Sequence, residues 1–146
     1  MTQRLGLSFV LLVNMAISTW VLAEGETNKD ELMVISAAHR LIESMNREDL
    51  NAYLQGVDPS APIFEHHKIV MGQLFTAYDL NTKAEKIKIL SIEKDYAVAR
   101  LSLSKRKVRG QAYFAETITD SLWIFRRKEK FWRLWSTLPL SVTRDF

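Results

Sequence analysis

Residues 117–138 read TITDSLWIFRRKEKFWRLWSTL. Two runs rich in β-branched and aromatic residues flank Lys128-Glu129-Lys130, a charged turn signal. The first run, from about Thr117 to Arg127, and the second, Phe131 to Leu138, are therefore expected to pair as antiparallel strands. Upstream, Tyr96 to Val108 reads as a long strand with Ala97, Ala99, Leu101 and Leu103 on one face. Arg109-Gly110 bends away from it. After Asn81, Ile87, Ile89 and Ser91 alternate with Lys86, Lys88 and Leu90, and Glu93-Lys94-Asp95 supplies a turn. Short turns between consecutive strands imply an antiparallel meander.

The first half of the chain has a different period. Leu32, Val34, Ile35, Ala38, Leu41, Ile42 and Met45 recur at spacings of three and four, which predicts a helix with one apolar stripe. Asn28 followed by Glu31 has the form of its start. Asn46-Arg47-Glu48-Asp49 breaks the stripe. Asp49 then reads as a cap or first-turn acid for a short second helix with Leu50, Tyr53 and Leu54 on its buried side. Asp58-Pro59-Ser60-Ala61-Pro62 is a turn, because each proline disfavours helix at the residue before it. Ile63-Phe64 reads as a short strand. A third helix from about His67 to Tyr78 is expected to bury Val70, Leu74, Phe75 and Tyr78. Helices first and a meander after give an α+β domain with the helices on one face of a curved sheet.

The segment from Asn46 to Leu54 resembles the junction of the first two helices in nuclear transport factor 2-like proteins. The stretch from Phe125 to Thr137 is similar to that superfamily's last hairpin, an aromatic and basic strand, a tight turn and a Trp-containing strand. Glu129 or Lys130 stands where such turns usually carry Gly. The resemblance covers residues 28–138 and implies three helices packed on a strongly bent antiparallel sheet, a cone that in many relatives holds a small ligand. It is weak for function, because this fold hosts enzymes, carriers and assembly modules.

The N-terminus reads as an export signal. Arg4 gives a positive start, Leu5 to Val21 carries no charge, and Val21-Leu22-Ala23 precedes polar Glu24. Cleavage there leaves residues 24–146 as a single domain, periplasmic or secreted. The alternative is a retained anchor, since the uncharged run approaches the roughly 17–25 residues that span a bilayer. The chain has no Cys, so neither disulfide nor cysteine lipidation is available. With 25% charged and 47% hydrophobic residues and a formal charge of +3, it reads as globular and only mildly basic.

Candidate chemistry is sparse. Glu116 and Asp120 share one face of a strand with Ile118, Leu122 and Ile124. Related ketosteroid isomerase-like and polyketide cyclase-like (SnoaL-like) enzymes place an acid or base inside the cone, so the resemblance implies a role for such a carboxylate. The competing reading leaves both solvated or paired with Arg100. Tyr53, Tyr78 and Tyr113 are the candidate hydrogen-bond donors. His66 and His67 read as a solvated helix start, since neighbours on a helix do not share a face and no second ligand pair sits nearby. Lys105-Arg106-Lys107-Val108-Arg109 reads as a solvated strand end whose charges discourage edge pairing. No metal or cofactor motif, nucleophile elbow or phosphate loop is present, and the export signal argues against nucleic acid.

The sequence therefore points to an exported, non-catalytic domain binding a small apolar molecule or a protein partner. The alternatives are a small lyase or isomerase with Glu116 or Asp120 as base, and an envelope-assembly module that touches the membrane only through an uncleaved N-terminus. A homodimer is expected through the sheet. The last two strands are apolar on both faces, and helices cover only one, which would leave Trp123, Phe125, Phe131 and Trp135 as an exposed patch. The tail Pro139–Phe146 is the alternative cover.

Overall fold

The computed structural model describes residues 29–109 and 113–144. The expected signal sequence, the cap at Asn28 and the bend at Gly110 lie outside these residues. Among them, helices α1 (residues 29–46), α2 (Leu50–Gln55) and α3 (Phe64–Ala77) precede strands β1 (Asp79–Ile92), β2 (Tyr96–Arg109), β3 (Thr117–Lys128) and β4 (Phe131–Arg144). The strands pair in the order β1-β2-β3-β4, all antiparallel. This is the expected α+β cone, helices first and a bent meander after.

The stripe on α1 buries Val34, Ala37, Ala38, Leu41, Ile42 and Met45. Leu32, read as part of it, points away and is 61% exposed. Asp49 caps α2 as expected, its side chain accepting the Ala52 N–H at 2.9 Å. Gly56 ends α2 so close to α1 that a Cβ there would lie 2.6 Å from Leu41 Cδ2, which keeps the position free of side chain.

The connection from α2 to α3 locks the helical layer to the sheet. Asp58 N–H donates to Leu134 O and Leu134 N–H to Gly56 O, so Val57 pairs with β4 as a short parallel rung. Asp58 is fully buried, and its Oδ1 accepts from both the N–H and the hydroxyl of Ser60. Ile63-Phe64 is not a strand. The Asp58–Ala61 turn runs straight into α3, with Phe64 N–H bonded to Ala61 O. Helix α3 keeps Leu74 and Phe75 against the core as expected but is rotated at its centre. Met71 is buried while Val70 is 41% exposed.

The two faces of the sheet follow from register. Ala97 lies opposite Phe125 and Ala99 opposite Trp123. Directly opposed residues share a face, so small alanines make room for large rings there, and the helices cover this face. Trp123 and Phe125 are therefore core, 5% and 0% exposed, and not the open patch expected of them. The row of Ile118, Asp120, Leu122 and Ile124 takes the outer face instead. Register shifts between Asp120 and Ser121 and between Ile124 and Phe125 bend β3–β4, and three more bend β1–β2. The chain from Pro139 onward extends β4 to Arg144 along the sheet edge, where Pro139 costs no interior ladder bond. In the β3–β4 turn Glu129 has φ 57°, the left-handed conformation usually given to Gly.

Candidate functional site

The helix-facing side of the sheet, closed by α2 and α3, is where this architecture would place chemistry. Strands β2, β3 and β4 carry a single carboxylate, Asp120, among their described residues. It stands on the outer face, held by the Arg100 guanidinium, whose Nε lies 3.0 and 3.1 Å from its two oxygens. The hydrogen bonds and charge of Arg100 hold the Asp120 carboxyl below the usual range. Glu116 precedes β3, is exposed, and borders a surface concavity with Lys83, Glu85 and Arg106. Neither carboxylate meets Tyr53. Tyr113 is 81% exposed, and Tyr78 caps the end of α3 with its ring against Phe114, centroids 5.3 Å apart. The acid and donor set drawn from the sequence is not assembled.

Another pair is assembled. Tyr53 on α2 is buried, and its hydroxyl lies 2.7 Å from His67 Nδ1 on α3, the two rings stacked with centroids 6.0 Å apart. The solvated reading holds for His66, which is exposed, and fails for His67, which is half-buried. Burial, then the charges of His66 and Lys105, push the His67 imidazole below its usual range. Burial pushes the Tyr53 phenol up, so it stays protonated. The tautomer of His67 sets the direction of this bond: with the phenol donating to Nδ1, Nε2 carries the ring N–H, and with Nδ1–H donating to the phenol oxygen, Nε2 is left with a free lone pair. Lys105 joins this side of the sheet. It pairs with Thr82 on β1 and Thr117 on β3, and burial pulls its ammonium down. The solvated strand end expected of residues 105–109 is thus split, with Lys105 turned inward.

His67 was legible in principle. His67, Met71 and Leu74 stand at i, i+4 and i+7, one face of α3. The competing stripe through Val70 hid it. Lys105 was legible too, because alternation along β2 puts it on the face of Ala97, Ala99, Leu101 and Leu103, but its place in a run of cations made it read as solvated. Of the interface candidates, Phe131 is 47% exposed and Trp135 half-buried, while Trp123 and Phe125 are inside. Among the described residues no group of three or more His, Asp or Glu is arranged to hold a metal ion.

A family model for the C-terminal domain of anti-sigma-I factor RsgI9 matches residues 38–144, most of the chain and all seven elements in whole or part. The chain belongs to this family. A sequence comparison with curated proteins finds no match. Solved structures place the fold of this chain among those of nuclear transport factor 2-like proteins. A putative dehydratase of that family from Streptomyces avermitilis aligns with TM-score 0.62 and 16% identity, over 76% of this chain and 94% of its own. A putative scytalone dehydratase from Novosphingobium aromaticivorans gives 0.64 and 12%, over 84% and 92%. A cystatin-like-fold protein of unknown function from Nostoc punctiforme gives 0.62 and 15%, over 75% and 89%. At these identities the likeness is one of fold.

Proposed function

We propose that this chain is an exported, non-catalytic recognition domain that binds a small apolar ligand or a protein partner and works as a homodimer. The observation that carries the reading is the helix-facing side of β2–β4, which holds no carboxylate, while Asp120 is committed to Arg100 outside it. The family's description supports recognition as well, since its namesake domain belongs to an anti-sigma factor. The dimer surface is the outer sheet face. Val98 lies opposite Ile124, and Leu122 opposite Leu138, with Ile118, Tyr96 and Trp135 beside them. Ile118 and Leu138 are 46% and 54% exposed. A two-fold contact would bury this patch from each copy. Native mass spectrometry of freshly exported protein tests the reading. A dimer of chains beginning at Glu24 with a bound small molecule or partner is expected. A bare monomer at micromolar concentration would reject it, and an intact Met1 would favour the tethered envelope module.

A second reading rests on the Tyr53–His67 pair. In the tautomer whose Nδ1–H donates to the phenol oxygen, the neutral imidazole keeps a free lone pair at Nε2, the state a general base needs. It moves the lyase or isomerase hypothesis from Glu116 and Asp120 to His67. Trapping a substrate whose turnover falls with His67→Gln while binding persists would favour it over the non-catalytic reading.

A further inference from the structure

A groove lies away from the cone, between α1 and the β3–β4 hairpin. Two adjoining concavities, of about 500 and about 320 Å³, share Lys29, Met33, Phe131 and Trp132 as walls. Each falls in the range of roughly 300–1,000 Å³ typical of small-molecule sites. The compartments differ in chemistry. One is bounded by Leu32, Ser36 and Arg40, whose guanidinium is bonded to Ser36, and is mainly apolar. The other is bounded by Asp30, Arg127, Glu129 and Lys130.

Two features set this groove apart from an ordinary surface cleft. The first is an excess of donors. Asp30 is already engaged by the Arg127 guanidinium, so Lys29 and Lys130 face only Glu129 as a further acid in the polar compartment. Among the described residues, the indole N–H of Trp132, 3% exposed, has no acceptor, and the buried Arg127 Nε–H also lacks one. Buried donors without acceptors are costly, so each calls for a partner that satisfies it. The second feature is exposed apolar surface at the same place. Leu32 and Phe131 are 61% and 47% exposed, and Lys130 lies over the Phe131 ring at 5.6 Å. Arg127 in turn stacks on Trp132 at 4.5 Å, so cations and rings alternate along the wall.

We infer that this groove is a binding site for a small amphipathic carboxylate, its apolar body against Leu32, Met33 and Phe131 and its carboxylate between Lys130 and the Arg127–Trp132 stack. Two carboxylate oxygens supply the acceptors that the indole and guanidinium N–H groups lack, after a small rotation of Arg127 opens them. The apolar compartment takes a chain or ring of medium size. This site is independent of the cone and of the outer sheet face.

The test uses the full chain, octanoate and the matched neutral alcohol 1-octanol, with the four tryptophan indole N–H signals followed by NMR. Octanoate is expected to move the Trp132 indole signal saturably while Trp123 and Trp135 stay in place, and 1-octanol to bind at least tenfold more weakly. Lys130→Glu, at an exposed turn position, should weaken octanoate at least fivefold and leave octanol unchanged, whereas Phe131→Ala should weaken both. An unchanged Trp123 signal in each variant certifies the fold. The inference is overturned if octanoate causes no saturable shift at Trp132, if octanol matches it, or if Lys130→Glu binds octanoate as the parent does.

Discussion

The two faces of the sheet use the same four strands and opposite rules. On the helix side, alanines on β2 oppose Trp123 and Phe125 on β3, and volume is matched pair by pair. On the outer side, aliphatic pairs such as Val98–Ile124 lie next to the Arg100–Asp120 ion pair and the lysines of β1. One face is packed like a protein interior. The other mixes apolar and charged groups as interfaces do. Both contain large apolar residues, so hydrophobic content does not distinguish them. Partner size across the register does.

The sharpest break in that comparison is Phe125→Ala. Phe125 is fully buried, and truncation should cost about 3–5 kcal/mol. Ile124→Ala, one residue away on the outer face, should cost about 1 kcal/mol or less in the monomer. Urea unfolding of both variants measures the contrast, and equal losses would mean the faces are misassigned.

Asp58 tests how the helical layer is held to the sheet. Asp58→Ala removes both bonds to Ser60 and should cost about 1–3 kcal/mol. Burial alone would raise the Asp58 pKa, but the bonds from Ser60 and the charges of Arg126 and Lys128 outweigh it and leave it lowered. The folded state therefore binds this proton less readily than the unfolded chain. Its stabilisation is complete above the ordinary aspartate value of about 3.9 and is lost as pH falls through the folded value. Unfolding free energy measured from pH 6 to pH 2 should fall more steeply in the parent than in Asp58→Asn. Parallel curves would remove Asp58 from this role.

The Tyr53–His67 pair gives a smaller effect in a different pH window. Burial lowers the His67 pKa, so the unfolded chain takes up this proton first. Stability should be full above about 6.5 and decline as pH drops below it toward the folded value. Tyr53→Phe should cost about 1 kcal/mol at pH 7.5. His67→Gln should flatten the slope between pH 7 and pH 5, which thermal melts across that range would show.

The least destabilising change sharpens the outer face alone. Leu138→Asp, at a 54% exposed position, should alter monomer stability by about 0.5 kcal/mol or less. Under the dimer proposal it should still shift sedimentation from dimer to monomer at micromolar concentration. A parent that already sediments as a monomer would leave the outer face without this partner.

Much of the architecture was readable from local pattern. The period changes from 3.6 to 2 near Asn81, and that change separates the helices from the meander. Asp49 caps α2 because a carboxylate before a short apolar run has one local use, and Ala97, Ala99, Leu101 and Leu103 share the buried face because alternation along a strand is strict. What periodicity cannot state is which of two apolar faces meets the helices. Ile118, Leu122 and Ile124 look as buriable as Trp123 and Phe125, and only the pairing of the rings with Ala97 and Ala99 decides between them. For His67 and Lys105 the period allowed an inward placement, and packing against α2 and the sheet decided it. Packing likewise decided the groove at Trp132, whose walls come from residues about a hundred positions apart in the chain. Local propensity is set by neighbours in sequence. Facing, burial and the meeting of α1 with the last hairpin are set by packing across the fold, which no single segment encodes.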